Sequence, residues 1–294
     1  MSELITAMVT IFKDDLSVDY EACFDLADFL VENGSDGIVV SGTTGESPTL
    51  SQEEKLNLFS RIKEHIGDRA KIIAGTGSNS TEATAKLTKA ASSTGVDGIM
   101  VVAPFYNKPP QAGLIQHFEK VASSTDLPLI LYNVPSRTGI NIDASTTIEL
   151  AKTENIVAIK EASGDFEQIK EIINSTEKSF KVYSGDDEAT FNIMKLGGNG
   201  VISVASHIIG SQIKDMLATC EEDDFDKASE LNERLRPIFK GLFNTTNPIL
   251  VKAGLELLGR RGGPLRLPLI RATEEQKETL AETIKSSGVL QVAI

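Results

Sequence analysis

The chain has 294 residues, of which 40% are hydrophobic and a further 23 are glycine, an ordinary globular composition that excludes disorder and allows a sizeable core. Acidic residues outnumber basic ones by 42 to 29, a net charge of −13, so the surface repels phosphate backbones and excludes a general nucleic-acid binder. Cys23, Cys220 and three scattered histidines make neither a disulfide framework nor a zinc pattern, and no apolar run approaches the length of a membrane span. The opening MSELITAMVTIF carries Glu3 and only a short apolar run, which predicts no signal peptide and a cytoplasmic protein.

In chain order, β-branched runs closed by Gly, Pro or small polar residues predict eight strands, over residues 4–12, 37–41, 71–74, 98–103, 128–133, 156–160, 180–184 and 200–203. Helical spacing lies between them. Residues 19–33 put Cys23, Leu26, Ala27 and Leu30 on one stripe, and Ser51 precedes Glu54 by three residues as a capping box. Further helices are predicted over 109–125, 165–175 and 208–219, then over 224–241, 248–258 and 274–286. The strands are almost continuously apolar, as when helices bury both sheet faces. Eight β/α units predict a (β/α)8 TIM barrel over residues 1–222 with a helical extension over 223–294. The alternative is an open sheet beside a separate helical domain.

Active residues of such a barrel stand at the C-terminal ends of its strands. Lys160 closes Ile156-Val157-Ala158-Ile159, so alternation puts its side chain on the face of Ala158 and Ile156. Inside a barrel it loses water, which disfavours the ammonium form and brings the pKa to about 7–8. Such an amine makes Schiff bases with ketones. The plain alternative is a surface lysine paired with Glu161. Tyr132 ends the fifth strand, next to the sixth if the barrel closes, and Thr43, Thr44 and Tyr106 are further strand-end hydroxyls able to relay protons without a metal. Arg137, in Pro135-Ser136-Arg137-Thr138-Gly139, has the fork for a substrate carboxylate, or else forms a structural ion pair. The glycines of 42–45 and 75–77 match no phosphate-binding motif and read as tight turns. His65, His117 and His207 read as helix-face or solvent residues.

Gly42-Thr43-Thr44-Gly45-Glu46, Pro104-Phe105-Tyr106-Asn107, Tyr132-Asn133-Val134-Pro135-Ser136-Arg137-Thr138-Gly139 and Ile159-Lys160-Glu161-Ala162-Ser163-Gly164, in that order and spacing, resemble the dihydrodipicolinate synthase family. The resemblance runs from about residue 4 to the C-terminus. It implies a lyase that condenses pyruvate with L-aspartate-4-semialdehyde in diaminopimelate and lysine biosynthesis, with no metal or organic cofactor. Lys160 would form the Schiff base and Tyr132 would shuttle protons. Thr44 and Tyr106 would complete the relay, Tyr106 reaching in from a neighbouring subunit of a homotetramer built as a dimer of dimers. Thr43 and Thr44 would hold the keto acid's carboxylate, Gly185 and Ile202 would line the pocket through backbone groups, and Arg137 would bind the second substrate's carboxylate.

Two features depart from the family pattern. Ile11 stands where the family has proline. Where lysine-sensitive members hold lysine, this chain carries Gln52, Lys55, Ala83 and Phe105, which removes the acidic partner and predicts weak or absent inhibition by lysine. The competing readings are a sugar-acid lyase, of the N-acetylneuraminate or 2-keto-3-deoxygluconate type, and a non-catalytic ligand-binding barrel. Thr43-Thr44 with Arg137 favour the synthase over the first, and the presence of Lys160, Tyr132 and Arg137 speaks against the second.

Overall fold

The eight apolar runs pair in sequence order as parallel strands and close on themselves. They are β1 (Glu3–Ala7), β2 (Gly37–Val40), β3 (Lys71–Gly75), β4 (Gly98–Val102), β5 (Leu129–Asn133), β6 (Ile156–Glu161), β7 (Lys181–Ser184) and β8 (Gly200–Ser203). The computed structural model describes residues 2–289, and β8 returns onto β1 in the register Glu3↔Gly200 to Thr6↔Ser203. This is the expected (β/α)8 barrel. The first strand is shorter than predicted: beyond Ala7 the chain leaves the sheet, Ile11 N bonding to Cys23 Sγ and Phe12 bridging Val18.

Alternation sorts the strand residues into two cores. Ile5, Val39, Ile73, Met100, Ile130, Ala158 and Ile202 fill the barrel, while Leu4, Ile38, Ile72, Ile99, Leu131, Ile159 and Val201 face the helices. Each such aliphatic side chain contributes about 1.5–3 kcal/mol when fully buried. One prediction of face fails. In β6 the register skips a residue, Leu129 pairing with Ile156 and Ile130 with Ala158. The bulge puts Ile156 in the outer core, while Ala158 stays inside.

The helices are α1 (Tyr20–Glu32), α2 (Gln52–Ile66), α3 (Thr81–Ser92), α4 (Gln111–Ala122), α5 (Pro135–Thr138), α6 (Ala144–Leu150), α7 (Phe166–Ser175), α8 (Thr190–Lys195), α9 (Ser206–Glu221), α10 (Phe225–Gly241), α11 (Ile249–Leu257) and α12 (Glu274–Ser287). The Ser51–Glu54 capping box is formed, with Ser51 N donating to Glu54 at 2.8 Å and Glu54 N to Ser51 at 3.1 Å. Helices α3, α5, α6 and α8 carry little apolar periodicity: α3 has one leucine among threonines, alanines and lysines, and the others have seven residues or fewer. Helices α10 to α12 follow the last β/α unit; residues 290–294 of the expected extension lie outside the described residues. Among the described residues no helix is long and apolar enough to cross a membrane.

Two polar clusters fix the ends of the barrel. At its base Glu3 meets Lys71 at 2.6 Å and Lys181 at 2.7 Å and accepts a hydrogen bond from the Tyr183 hydroxyl. Burial opposes ionisation of Glu3, yet the bonds from Lys181, Lys71 and Tyr183 prevail and hold its pKa down to about 2. At the mouth, Glu46 follows the Thr43-Thr44 segment and forms a fully buried pair with Lys252 of α11 at 2.6 Å. Glu46 also accepts from Arg266 N at 3.0 Å, and Lys252 donates to Pro264 O at 2.8 Å. Removing one partner of such a pair strands the other charge without water, at a cost of about 3–5 kcal/mol. Lys252→Met should therefore lose stability on that scale in urea unfolding, and the double variant Glu46→Gln/Lys252→Met should recover most of it.

Candidate active site

Alternation sends Lys160 inward from the end of β6 and Glu161 outward. Glu161 is buried behind the strand, accepting from Asn133 Nδ2 at 3.0 Å, Ser163 N at 2.8 Å and Gln168 Nε2 at 3.2 Å. The surface Lys160–Glu161 pair is thereby overturned. Lys160 sits in register between Tyr132 of β5 and Tyr183 of β7, with Nζ 4.4 Å from the centre of the Tyr132 ring. Its residue is 4% exposed. Burial brings its pKa down to about 8; Asp187 and Asp186 pull it back up through space, and Arg137 pushes it further down. Gly185 gives the lysine stem its room, since a Cβ there would lie 3.0 Å from Lys160 Cγ and 2.9 Å from Ala162 Cβ.

The Tyr132 phenol is pushed up to about 12 by burial, with Arg137 and a hydrogen bond to Thr43 acting against the rise and Asp186 with it. It therefore keeps its proton across the working pH range. Two cavities, of about 330 and 280 Å3, share Gly42, Thr43, Met100, Tyr132, Val134 and Arg137 in their walls. The smaller adds Lys160, Thr44, Gly185 and Asn247. Thr44 is buried and accepts from Asn247 Nδ2 at 2.9 Å, which leaves its own O–H free to donate elsewhere. Arg137 stands exposed on α5 at the mouth. Ile202 lies fully buried in the inner core, and Val204 is the residue beyond β8 on the cavity wall.

Tyr106 stands apart on the surface. It is 87% exposed, and its φ of 76° is rare for a bulky residue. The phenol belongs to neither cavity wall of its own chain.

Three residues that sequence reasoning missed support the others. Asn247, about two hundred positions from Thr44, gives no local signal. Asp187 is buried and holds Ser203 Oγ at 2.5 Å, Val204 N at 3.0 Å and Ala205 N at 2.9 Å; an acidic residue just past Gly185 is the only sign of it. His207 is not a solvent residue. It is fully buried, its Nε2 accepting from Val9 N at 3.1 Å and its Nδ1 meeting Val204 O at 2.8 Å. Burial pushes its pKa down to about 4 against the Val204 bond, so it braces the loops after β1 and β8 as a neutral ring.

A model of the dihydrodipicolinate synthetase family matches residues 1–287. A relative from Heliobacterium modesticaldum named 4-hydroxy-tetrahydrodipicolinate synthase is 52% identical over 97% of this chain and 95% of its own. Another with the same name, from Moorella thermoacetica, is 50% identical over 98% of each. Among solved structures, the dihydrodipicolinate synthase of Cyanidioschyzon merolae with lysine bound superposes with a TM-score of 0.96 at 46% identity, covering 98% of this chain and 99% of that one.

The Lys160 environment makes stability depend on pH. Below pH 8 both folded and unfolded chains hold the proton, and the folded state bears the full cost of a dehydrated ammonium, about 3 kcal/mol. From about 8 to the ordinary lysine value of 10.5 the folded amine is neutral while the unfolded one stays charged, so stability rises with pH through that window. Lys160→Met should be more stable than the parent at pH 7, by an amount that shrinks toward pH 10.5 in denaturant titrations.

Proposed function

The chain belongs to the dihydrodipicolinate synthetase family, and from the site it carries we infer that it is a lyase acting as a 4-hydroxy-tetrahydrodipicolinate synthase on pyruvate and L-aspartate-4-semialdehyde. The observation that carries this reading is Lys160 itself, a buried amine with no hydrogen-bonded carboxylate, lying against the Tyr132 ring. The sugar-acid lyase reading draws no support from relatives at about 50% identity.

In this reading Lys160 Nζ adds to C2 of pyruvate, giving a carbinolamine. Tyr132 delivers a proton to the departing hydroxyl, water leaves, and the imine forms. Loss of a C3 proton converts the imine to an enamine, whose C3 bonds to the aldehyde carbon of the second substrate while the aldehyde oxygen gains a proton. The substrate's own amine then attacks C2 and displaces Lys160, closing the ring and freeing the enzyme. Thr43 and Thr44 hold the keto acid's carboxylate, with Gly185 and Ile202 contributing backbone groups. Arg137, at the mouth, takes the carboxylate of the semialdehyde, bidentate and charge-assisted. A local cation of this kind reconciles anionic substrates with a net charge of −13.

Tyr106 enters as the last member of the hydroxyl relay, supplied by a neighbouring copy. An aromatic side chain 87% exposed in a strained backbone conformation costs its own chain free energy, and insertion into the Thr43–Tyr132 cavity of a second copy accounts for both features. The working unit is then at least a dimer, within a homotetramer built as a dimer of dimers, of a cytoplasmic biosynthetic enzyme. In this reading residues 1–222 are assigned to the catalytic unit and 223–294 to the helical extension, of which the described part ends at residue 289.

Purified protein should consume pyruvate on addition of the semialdehyde, and Lys160→Ala should abolish this with the fold retained by circular dichroism. Borohydride should trap a pyruvate adduct in the parent and none in the variant; an adduct without turnover would return the acceptor to the sugar-acid aldehydes. The rate constant kcat/KM for pyruvate should climb as pH rises toward about 8, following the free Lys160 amine. Lysine should inhibit weakly or not at all, because Lys55 shares the cavity wall with Ser47 and Phe105 and no carboxylate stands there. Half-inhibition at sub-millimolar lysine would refute that.

A further inference from the structure

Three acidic residues, Asp186, Asp187 and Glu188, follow each other just past β7. Two of them are committed to the protein. Asp187 holds Ser203 and the Val204 and Ala205 amides, and Glu188 pairs with Arg236 at 3.0 Å and Lys240 at 3.3 Å. Asp186 is only half committed. Its Oδ1 accepts from Glu188 N at 3.0 Å, while its Oδ2 meets no donor and no cation among the described residues. The residue is exposed, and it lines the 280 Å3 cavity together with Lys160, Gly185 and Arg137.

Arg137 has no carboxylate partner either. It and Asp186 stand on the wall of one cavity and make no ion pair with each other. Beyond the effect of burial, both act through space on Lys160 and on Tyr132, in opposite senses, so both charges lie within reach of the reacting groups. Two opposite charges that share a cavity without meeting leave a gap that a molecule carrying both signs can span. The aspartate semialdehyde is such a molecule: at neutral pH one carbon bears its carboxylate and its ammonium. With the carboxylate taken by Arg137, the ammonium needs a partner of its own, and a carboxylate holds it about twice as strongly as a hydroxyl does.

We propose that Asp186 is an ammonium subsite of this cavity, its free Oδ2 holding the α-ammonium of the acceptor aldehyde while Arg137 holds the α-carboxylate. The proposal rests on the synthase reading above and adds a chemical class to it, because the site then selects α-amino aldehydes. An acceptor without the amine, such as a sugar-acid aldehyde, leaves Asp186 without a counter-charge and forfeits that contact. Asp186 binds and orients; no bond forms or breaks at its carboxylate.

Asp186→Asn tests this in the full chain, because asparagine keeps an acceptor for Glu188 N and removes only the charge. The KM for L-aspartate-4-semialdehyde should rise about tenfold, the scale of one lost charge-assisted hydrogen bond, with kcat within about twofold of the parent, as expected when ground and transition states lose the same contact. The KM for pyruvate, borohydride trapping of the pyruvate adduct and the thermal midpoint should keep their parental values. Succinate semialdehyde, the same aldehyde acid without the amine, is the control: its inhibition constant against the amino aldehyde should stay within about twofold of the parent's. An unchanged KM for the amino aldehyde overturns the proposal. So does an equal loss of affinity for succinate semialdehyde, which would make the effect one of cavity shape, or a rise in the KM for pyruvate, which would make Asp186 act through Lys160. Parent turnover in the same assay keeps the two readings apart: its absence removes both, whereas turnover that ignores Asp186 removes only this one.

Discussion

A lysine becomes a nucleophile at neutral pH where water is withheld from it, or a second cation stands near, and no counter-ion is supplied instead. Much of the barrel mouth answers that constraint. Strand alternation turns Glu161, the carboxylate adjacent in sequence, to the far side of the sheet, where Asn133, Ser163 and Gln168 occupy it. Asp187, which acts on Lys160 through space, spends its hydrogen-bonding capacity on Ser203 and the Val204 and Ala205 amides. What remains against the amine is the face of Tyr132, which attracts a cation far less than a carboxylate does. The acids near Lys160 thus shape the site without neutralising it.

The helical extension forms part of this site. The segment bearing Thr43 and Thr44 is gripped at its far end by the buried Glu46–Lys252 pair and along its length by Asn247 on Thr44. Arg266 adds a second grip, reaching Glu54 of α2 at 2.5 Å and Thr49 O at 2.7 Å. The Thr44 hydroxyl accepts from Asn247, so a residue from beyond the eight β/α units orients a side chain on the cavity wall. Distortion of the packing of α11 would reach the reacting atoms through two hydrogen-bonded links.

Much of this was legible in the sequence because parallel barrels write their architecture locally. Apolar runs of four to nine residues announced all eight strands, and the residues at or past their ends, Thr43, Tyr132, Arg137, Lys160 and Gly185, fall around one pair of adjoining cavities. The failures share a cause. Alternation misplaced Ile156 because a one-residue bulge is a property of two strands together. Asn247, Asp187 and His207 escaped because they act through partners that only closure of the barrel brings near. Helix α3 escaped for want of large apolar residues, its stability coming from packing and a Ser80 cap rather than a readable stripe.

The cluster of Glu3, Lys71, Lys181 and Tyr183 seals the base of the barrel, and the inner core fills the space above it. The site is therefore a blind well. Everything that enters or leaves, including the water expelled when the imine forms, passes the same rim near Arg137. In a well of that shape the molecule that must reach the bottom has to arrive first, and the one that reacts above it can only follow. An acceptor that enters early is an obstruction, and the product departs by the route its precursors took. The sequence of arrivals is in this sense built into the floor of the barrel, at the opposite end from the chemistry.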